Sequence, residues 1–352
     1  MSKLVKVALA MIVDGGTLSM DEARAAMGDV MDGEATPAQL SALLMGLRMR
    51  GETVDELAGF AAAMRDRAVH VDAPDGAIDV VGTGGDGSGT FNISTTAALV
   101  AAAAGIPVAK HGNRAITSKS GAADVLDALG VRIDHDAASA GVSLRTLGFA
   151  FLFAPNFHPA MRHAGPTRRE IGVRTAFNLL GPLTNPARTS RGVIGVGAPE
   201  AAGLVAEVAR RLGTERTLVI HGAGVDELPL DGTGVIHDVT QDGIESRQVD
   251  PERLGLRSAP TARLAGAGPD ENARMVEAVL RGEPGVRRDV TVLNAAAAFL
   301  VAGRVASLEE GVDRAALTID AGLAVELLEG LRAERRAAEA ARAAATADGV
   351  ST

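Results

Sequence analysis

The chain has 352 residues, 47% of them apolar and only 2% aromatic, with neither Trp nor Tyr, no cysteine and a formal net charge of −9. That length exceeds what one hydrophobic core serves, so a large domain with a smaller companion is expected. The charge and the missing aromatics argue against nucleic acid and acidic membranes as partners, and the lack of cysteine removes disulfides and thiolate chemistry, as suits a cytoplasmic protein.

From Lys3 to about Arg67 apolar residues recur at helical spacing. Caps are expected at Ser19 before DEARAAM, Thr36 before PAQLSALLMGL and Thr53 before VDELAGFAAAM. The sequence VHVDAPDGAID then brings Pro and Gly, and beyond it short β-branched runs alternate with glycine turns and Ala-rich helices: IDVVG, IPVAKH, VRID, FAFLFAP, VIGVGAP and TLVIHG. The longest apolar stretch, TTAALVAAAAGIPVA, falls short of the roughly 18 residues of a membrane span. The segment 158–186 again reads as helical, and the tail after Gly330 reads as a terminal helix with a frayed end. The expected fold is thus a small α-helical domain (1–74, joined by part of 158–186) and a larger α/β domain (75–157 and 187–352). The latter has a mainly parallel central sheet flanked by helices.

The block DVVGTGGDGSGTFNIST, from Asp79 to Thr95, is a strand running into a glycine-rich turn and a helix that begins near Ser94. Gly82, Gly84, Gly85, Gly87 and Gly89 are expected to admit positive φ and close backbone approach, and the helix N-terminus adds free N–H groups, so the block reads as a phosphate cradle. Asn92, Ser94 and Thr95 stand where the helix would be capped, and Ser94 offers a hard oxygen ligand. The block lacks a closing GK[ST] and a ribose-binding acid at the usual distance, which disfavours P-loop nucleotides and dinucleotides.

A second block, IPVAKHGNRAITSKSG, empties a strand into Lys110, His111, Asn113, Arg114 and Lys119, a cationic loop within an acidic protein. At the C-terminal edge of a parallel sheet such a loop is placed to hold an anion. Asp226 and Glu227 form an adjacent carboxylate pair after the strand TLVIHG, a place that favours a site over a solvated surface pair.

Taken together, GTGGDGSGTFNIST followed by KHGNRAITSKSGAADVLDALG resembles the paired signature of anthranilate phosphoribosyltransferases. The likeness continues in order through GEATPAQLSALLMGLRMRGET, HPAMRHAGPTRREIGVRTAFNLLGPLTNP, GVDEL and DVTVLNAAAAFLVAG. It implies a transfer of phosphoribosyl from phosphoribosyl pyrophosphate (PRPP) to anthranilate in tryptophan biosynthesis, by a homodimer using two Mg²⁺ per subunit. By the same resemblance Gly82, Gly85, Asp86, Thr90, Asn92, Ile93, Ser94, Thr95 and the Lys110–Ser118 loop hold PRPP. The loop's share falls to Lys110, His111, Gly112, Asn113, Arg114 and Ser118, with Ala122 beyond it. Gly82, Asn113 and Arg168 contact anthranilate, and Ser94, Asp226 and Glu227 bind the metal.

No nucleophilic side chain is implied; Lys110 and Arg168 contribute charge and position. Ala122 departs from the family pattern, which has a small hydroxyl residue there. A nucleoside phosphorylase is the rival of similar architecture, and a non-catalytic binding relative is the rival of another class.

Overall fold

The computed structural model describes residues 1–115 and 118–349, the last three of these by backbone alone. Four helices open the chain: α1 (Lys3–Val13), α2 (Met20–Met31), α3 (Pro37–Arg50) and α4 (Val54–Asp66). Ser19, Thr36 and Thr53 each close a reciprocal capping box with Glu22, Gln39 and Glu56, so the expected starts of α2, α3 and α4 stand where the local chemistry put them. Glu56 does more than cap. Fully buried, it accepts the Leu18 N–H at 3.0 Å and the Thr53 N–H at 2.9 Å and pairs with Arg50, tying the turn before α2 to α4.

The rest of the chain alternates strands and helices: β1 (Ile78–Gly82), α5 (Ile93–Ala103), β2 (Val108–Gly112), α6 (Ala122–Ala128), α7 (Ala137–Thr146) and β3 (Phe149–Phe153). The short helices α8 (Ala154–Phe157), α9 (Gly165–Ile171) and α10 (Phe177–Leu180) follow, and then β4 (Arg191–Gly195), α11 (Pro199–Arg211) and β5 (Arg216–His221). A hairpin of β6 (Gly234–Thr240) and β7 (Ile244–Val249) leads to α12 (Pro269–Leu280), α13 (Val286–Val301), α14 (Leu308–Asp320) and α15 (Leu323–Gly349). One seven-stranded sheet runs β3-β2-β1-β4-β5-β6-β7, parallel through β5 and antiparallel in the closing hairpin.

Side chains alternate across the strands, as the two-residue period requires. Val108, Phe149, Phe151, Val193, Leu218 and Ile236 join a core with α5, α12, α13 and α14. On the other face Ile194, Val219 and Val239 meet α11 and, through it, the helices of the N-terminal bundle. Residues 290–301 of α13 are all buried, and α14 approaches so closely at Gly311 that an added Cβ would lie 2.8 Å from that of Ala296. The Ala-rich composition is what permits this spacing.

Two expectations need correction. VRID (131–134) forms no strand: Val131 is buried, its N–H returns to Leu126 O, and Asp134 pairs with Arg342 of α15, so the segment is occupied by helix ends. The terminal helix begins at Leu323, before Gly330, while the end expected to fray falls outside the described residues.

Replacing Glu56 with alanine leaves two N–H groups and Arg50 without their acceptor, and should cost about 3 kcal/mol, read as a lower urea midpoint. An unchanged midpoint would contradict the role given to this carboxylate.

Candidate active site

The strand order reverses between β1 and β4, since the chain winds outward from β1 through β2 and β3 and then returns to the other side of β1. A crevice forms at the carboxyl ends of the strands flanking such a switch point. Gly82 and Gly195 pair in register as the last rung of β1 and β4. Asp226 lies over them: a Cβ on Gly82 would overlap its Oδ2, and one on Gly195 its carbonyl oxygen. Gly82 therefore serves close approach and not positive φ, which the loop reserves for Gly84 (φ 63), Gly85 (φ 67), Gly87 and Gly89.

The β1–α5 loop is held from several sides. The Gly84 N–H donates to Asp226 Oδ2 at 2.9 Å, and the Asp226 N–H to Asp86 Oδ2 at 3.4 Å. Ser88 donates to Asp86 through its N–H (3.0 Å) and its hydroxyl (2.8 Å). Among the described residues the N–H groups of Gly85, Asp86, Gly87, Ser94 and Thr95 find no internal acceptor. The last two lie in the first turn of α5, so the loop presents unpaired donors to an anion. Asn92 does not cap α5 with its side chain. Its amide donates to Ser120 O at 3.2 Å and its Oδ1 accepts from Asn272 of α12 at 2.9 Å, joining the glycine loop to the cationic loop.

Asp86, Asp226 and Glu227 each offer an oxygen within 4.8 Å of the others. Glu227 is buried and its Oε2 has no hydrogen-bond partner. Burial, then repulsion from Asp226 and Asp86, pushes the Glu227 carboxyl well above its usual range; burial and Asp86 raise Asp226. Three hard oxygens, one of them buried and unpaired, fit a divalent cation. The third carboxylate is Asp86; Ser94 is half-buried in the first turn of α5 and Thr95 is buried behind it.

Lys110 and His111 are strand residues: β2 extends through Gly112, so the cationic loop begins later than expected. Lys110 is buried and donates to Val80 O. Burial outweighs its attraction to Asp79, Glu227 and Asp226 and lowers its ammonium to about 8. The His111 N–H reaches Asp79 Oδ1 at 3.2 Å, while Asn185, absent from the expected set, donates to Asp79 Oδ2 at 2.7 Å and to Ala109 O at 2.8 Å. Arg114 is committed to Asp124 (2.9 Å) and Asp127 (3.2 Å), whereas Asn113 and Ser118 are exposed. Ile116 and Thr117 of this loop lie outside the described residues. Ile93 is buried, and Thr90, Gly112 and Ala122 are half-buried around the crevice.

Arg168 of α9 stacks its guanidinium 4.7 Å from the centre of the Phe177 ring and has no carboxylate partner among the described residues. Six residues on, Arg174 donates to Gly85 O at 2.7 Å and to Gly84 O at 3.3 Å, so the segment carrying Arg168 is fastened to the glycine loop. Sequence reading missed Arg174, Asn185, Gly195, Gly197 and Asn272. Only the glycines carried a local signal, in VIGVG at the end of a strand.

A crevice of unpaired N–H donors and a carboxylate cluster at a switch point suits a polyanion with a divalent cation, and with the family models it makes the chain a glycosyl transferase. Those are the glycosyl transferase family models, the helical bundle domain matching residues 6–68 and the a/b domain 74–325. An anthranilate phosphoribosyltransferase of Azorhizobium caulinodans is 51% identical over 318 residues, covering 90% of this chain and 92% of the relative. The enzyme of that name from Thermus thermophilus superposes with a TM-score of 0.89 at 46% identity, covering 95% of this chain and 100% of the other. One from Saccharomyces cerevisiae, solved in complex with PRPP and Mg, gives 0.87 at 28% identity, covering 96% of this chain and 99% of the other. The chain belongs to the anthranilate phosphoribosyltransferase family.

Desolvation keeps three buried histidines neutral: His111 (about 3), His158 (about 4) and, away from the crevice, His135 (about 4), all from 6.5. The unfolded chain binds protons at these positions below 6.5 that the folded chain refuses. Their contribution to stability is therefore full above that value and falls as pH drops toward about 4, by up to ~1.4 kcal/mol per pH unit per histidine. The raised carboxyls of Asp79, Asp226 and Glu227 act in the opposite sense, so the test is a difference: between about pH 7 and about pH 5 the urea midpoint should change less favourably on acidification in the wild type than in His135→Gln, and parallel profiles would contradict the buried neutral ring.

Proposed function

We propose that this chain transfers the phosphoribosyl group of PRPP to the amine of anthranilate, releasing pyrophosphate, as a step of tryptophan biosynthesis. The observation that carries this reading is the join of two recognition devices: a donor-rich glycine loop for phosphates and, clasped to it through Arg174, a segment bearing the uncompensated Arg168. The Saccharomyces cerevisiae relative has also been solved with 4-fluoroanthranilate, which supports the choice of acceptor.

In the reaction the anthranilate nitrogen bonds to the anomeric carbon of the ribose as the bond from that carbon to pyrophosphate breaks, and the nitrogen then loses a proton to solvent. The N–H groups of Gly85, Asp86, Gly87, Ser94 and Thr95 receive the charged oxygens of the donor, with Thr90, Asn92, Asn113 and Ser118 as neighbouring polar groups. Lys110, buried beneath the strand ends, offsets part of the carboxylate charge that would otherwise repel the donor. Arg168 holds the acceptor carboxylate in a fork and sets the amine toward the sugar, while Asn113 and the bare backbone at Gly82 border the acceptor. An aromatic amine is unprotonated near neutral pH, so no strong base is required.

Asp86, Asp226, Glu227 and Ser94 would hold magnesium, two ions per subunit in this proposal. When bound, the metal neutralises charge on the departing pyrophosphate. The helical segment 1–74, with part of 158–186, forms a domain that closes on the sheet and excludes water. Ala164, Phe177, Leu180 and Leu183 packing with α1–α4 supports that division. The exposed Val7, Val13 and Met49 of α1 and α3 support a homodimer through this end. A cytoplasmic place of action goes with substrates of central metabolism.

Loss of anthranilate fluorescence on mixing with PRPP and Mg²⁺ tests donor, acceptor and metal together, and no consumption of either substrate would sink the proposal. Arg168→Ala should raise the anthranilate KM by roughly 100-fold with little change for PRPP, as losing a bidentate charge pair implies; equal effects on both would remove Arg168 from the acceptor site. Independently of turnover, Mg²⁺ with PRPP should raise the melting temperature of the wild type and not of Glu227→Gln. An equal rise in the variant would place the metal elsewhere.

A further inference from the structure

Away from the crevice, where β4 and β5 begin, lies a cavity of about 180 Å³ walled by Arg65, Arg188, Arg191, Ser190, Thr214 and Thr217 among others. That volume is far above the roughly 10–15 Å³ that one water requires. Three guanidiniums line it in a chain of net charge −9.

Arg191 has a counterion in Glu215, which also accepts from Ser190 Oγ at 3.1 Å. Arg65 and Arg188 have none among the described residues. Arg65 donates through Nε to Leu183 O at 2.7 Å, and Arg188 reaches only the Arg65 carbonyl, at 3.4 Å. Burial and then the Arg188 charge hold the Arg65 guanidinium down to about 10. Asp79 also borders the cavity, but its two oxygens are taken by Asn185 and the His111 N–H, and burial raises it to about 6. The positive charge of Arg65 and Arg188 is left uncompensated.

The backbone adds a second observation. Arg188 has φ 50, a left-handed conformation that a side chain rarely takes, and its N–H is fixed by Asn185 O at 3.0 Å. Strain of this kind persists only where the surroundings impose it, and here it holds a second guanidinium beside the first. Arg65 is half-buried and Arg188 exposed at the mouth of the cavity; two like charges held side by side with no counterion attract an anion, and a pair of planar forks matches the oxygens of a tetrahedral oxyanion.

We propose that this cavity is a binding site for an oxyanion of the inorganic phosphate class, gripped by Arg65 and Arg188 and separate from the catalytic crevice. Arg65 ends α4 and Arg188 lies on the turn leading into β4, so the ion links the N-terminal bundle to the sheet. The proposal does not depend on the reaction proposed above.

The test uses the full chain and inorganic phosphate as probe, at constant ionic strength. Arg188→Gly removes the guanidinium and relaxes the left-handed strain, so the variant should fold at least as well as the wild type. Calorimetric titration should give phosphate binding in the wild type that weakens roughly tenfold or more in Arg188→Gly and in Arg65→Gln, as loss of a charge-assisted pair implies. Equal affinity in wild type and Arg188→Gly would overturn the proposal and assign the ion to the crevice. Crystals soaked in selenate provide the second reading: anomalous density between Arg65 and Arg188 supports the site, and density confined to the glycine loop overturns it.

Discussion

The site depends on a carboxylate seated where only glycine leaves room. Asp226 occupies the space above the terminal rung of β1 and β4, where Gly82 and Gly195 face each other, and Asp86 takes the corresponding space at Gly197. Any side chain at these positions would push both acids away from the strand ends. The seat also orders the loop, because the Gly84 N–H is bound to the same Asp226 oxygen. Backbone donors and carboxylate oxygens are thereby fixed by one contact.

An acidic protein that takes up a polyphosphate must build attraction locally, and it does so with few free cations. Lys110 is sealed beneath the strand ends, and Arg114 is spent on Asp124 and Asp127. What remains toward the crevice, besides the segment of Arg168 that Arg174 fastens to it, is oriented backbone N–H and a carboxylate cluster that burial and mutual repulsion leave ready for a cation. Groups held in this way need little reorganisation as charge moves toward the leaving group. The buried network of Asp79, Asn185 and the His111 N–H keeps β1 and β2 in place below them.

Helix caps were legible because they are local. Ser19, Thr36 and Thr53 cap as expected, and each finds a box partner three residues away. VRID had the residue types of a strand, yet its neighbours are the end of α6 and a side chain of α15, 208 residues distant from Asp134. Lys110 and His111 read as loop cations because a strand is expected to end at its first charges. Instead β2 pairs with β3 as far as Gly112, and burial of the charge is met by Val80 O and nearby acids.

The sequence by itself determined the helical start and the largely parallel α/β body, and it marked the glycine loop and the pair Asp226 and Glu227 as candidates. These rest on periodicity, caps and turn chemistry, which act over a few residues, and on a resemblance spread along the chain. Only the tertiary structure decided that Asp86 joins those acids, that Arg174 clasps the loop, that Asn272 secures Asn92 and that Gly82 serves contact. Each of those facts is a meeting of residues 89 to 180 positions apart, set by strand order and helix packing, and no local pattern encodes such a meeting.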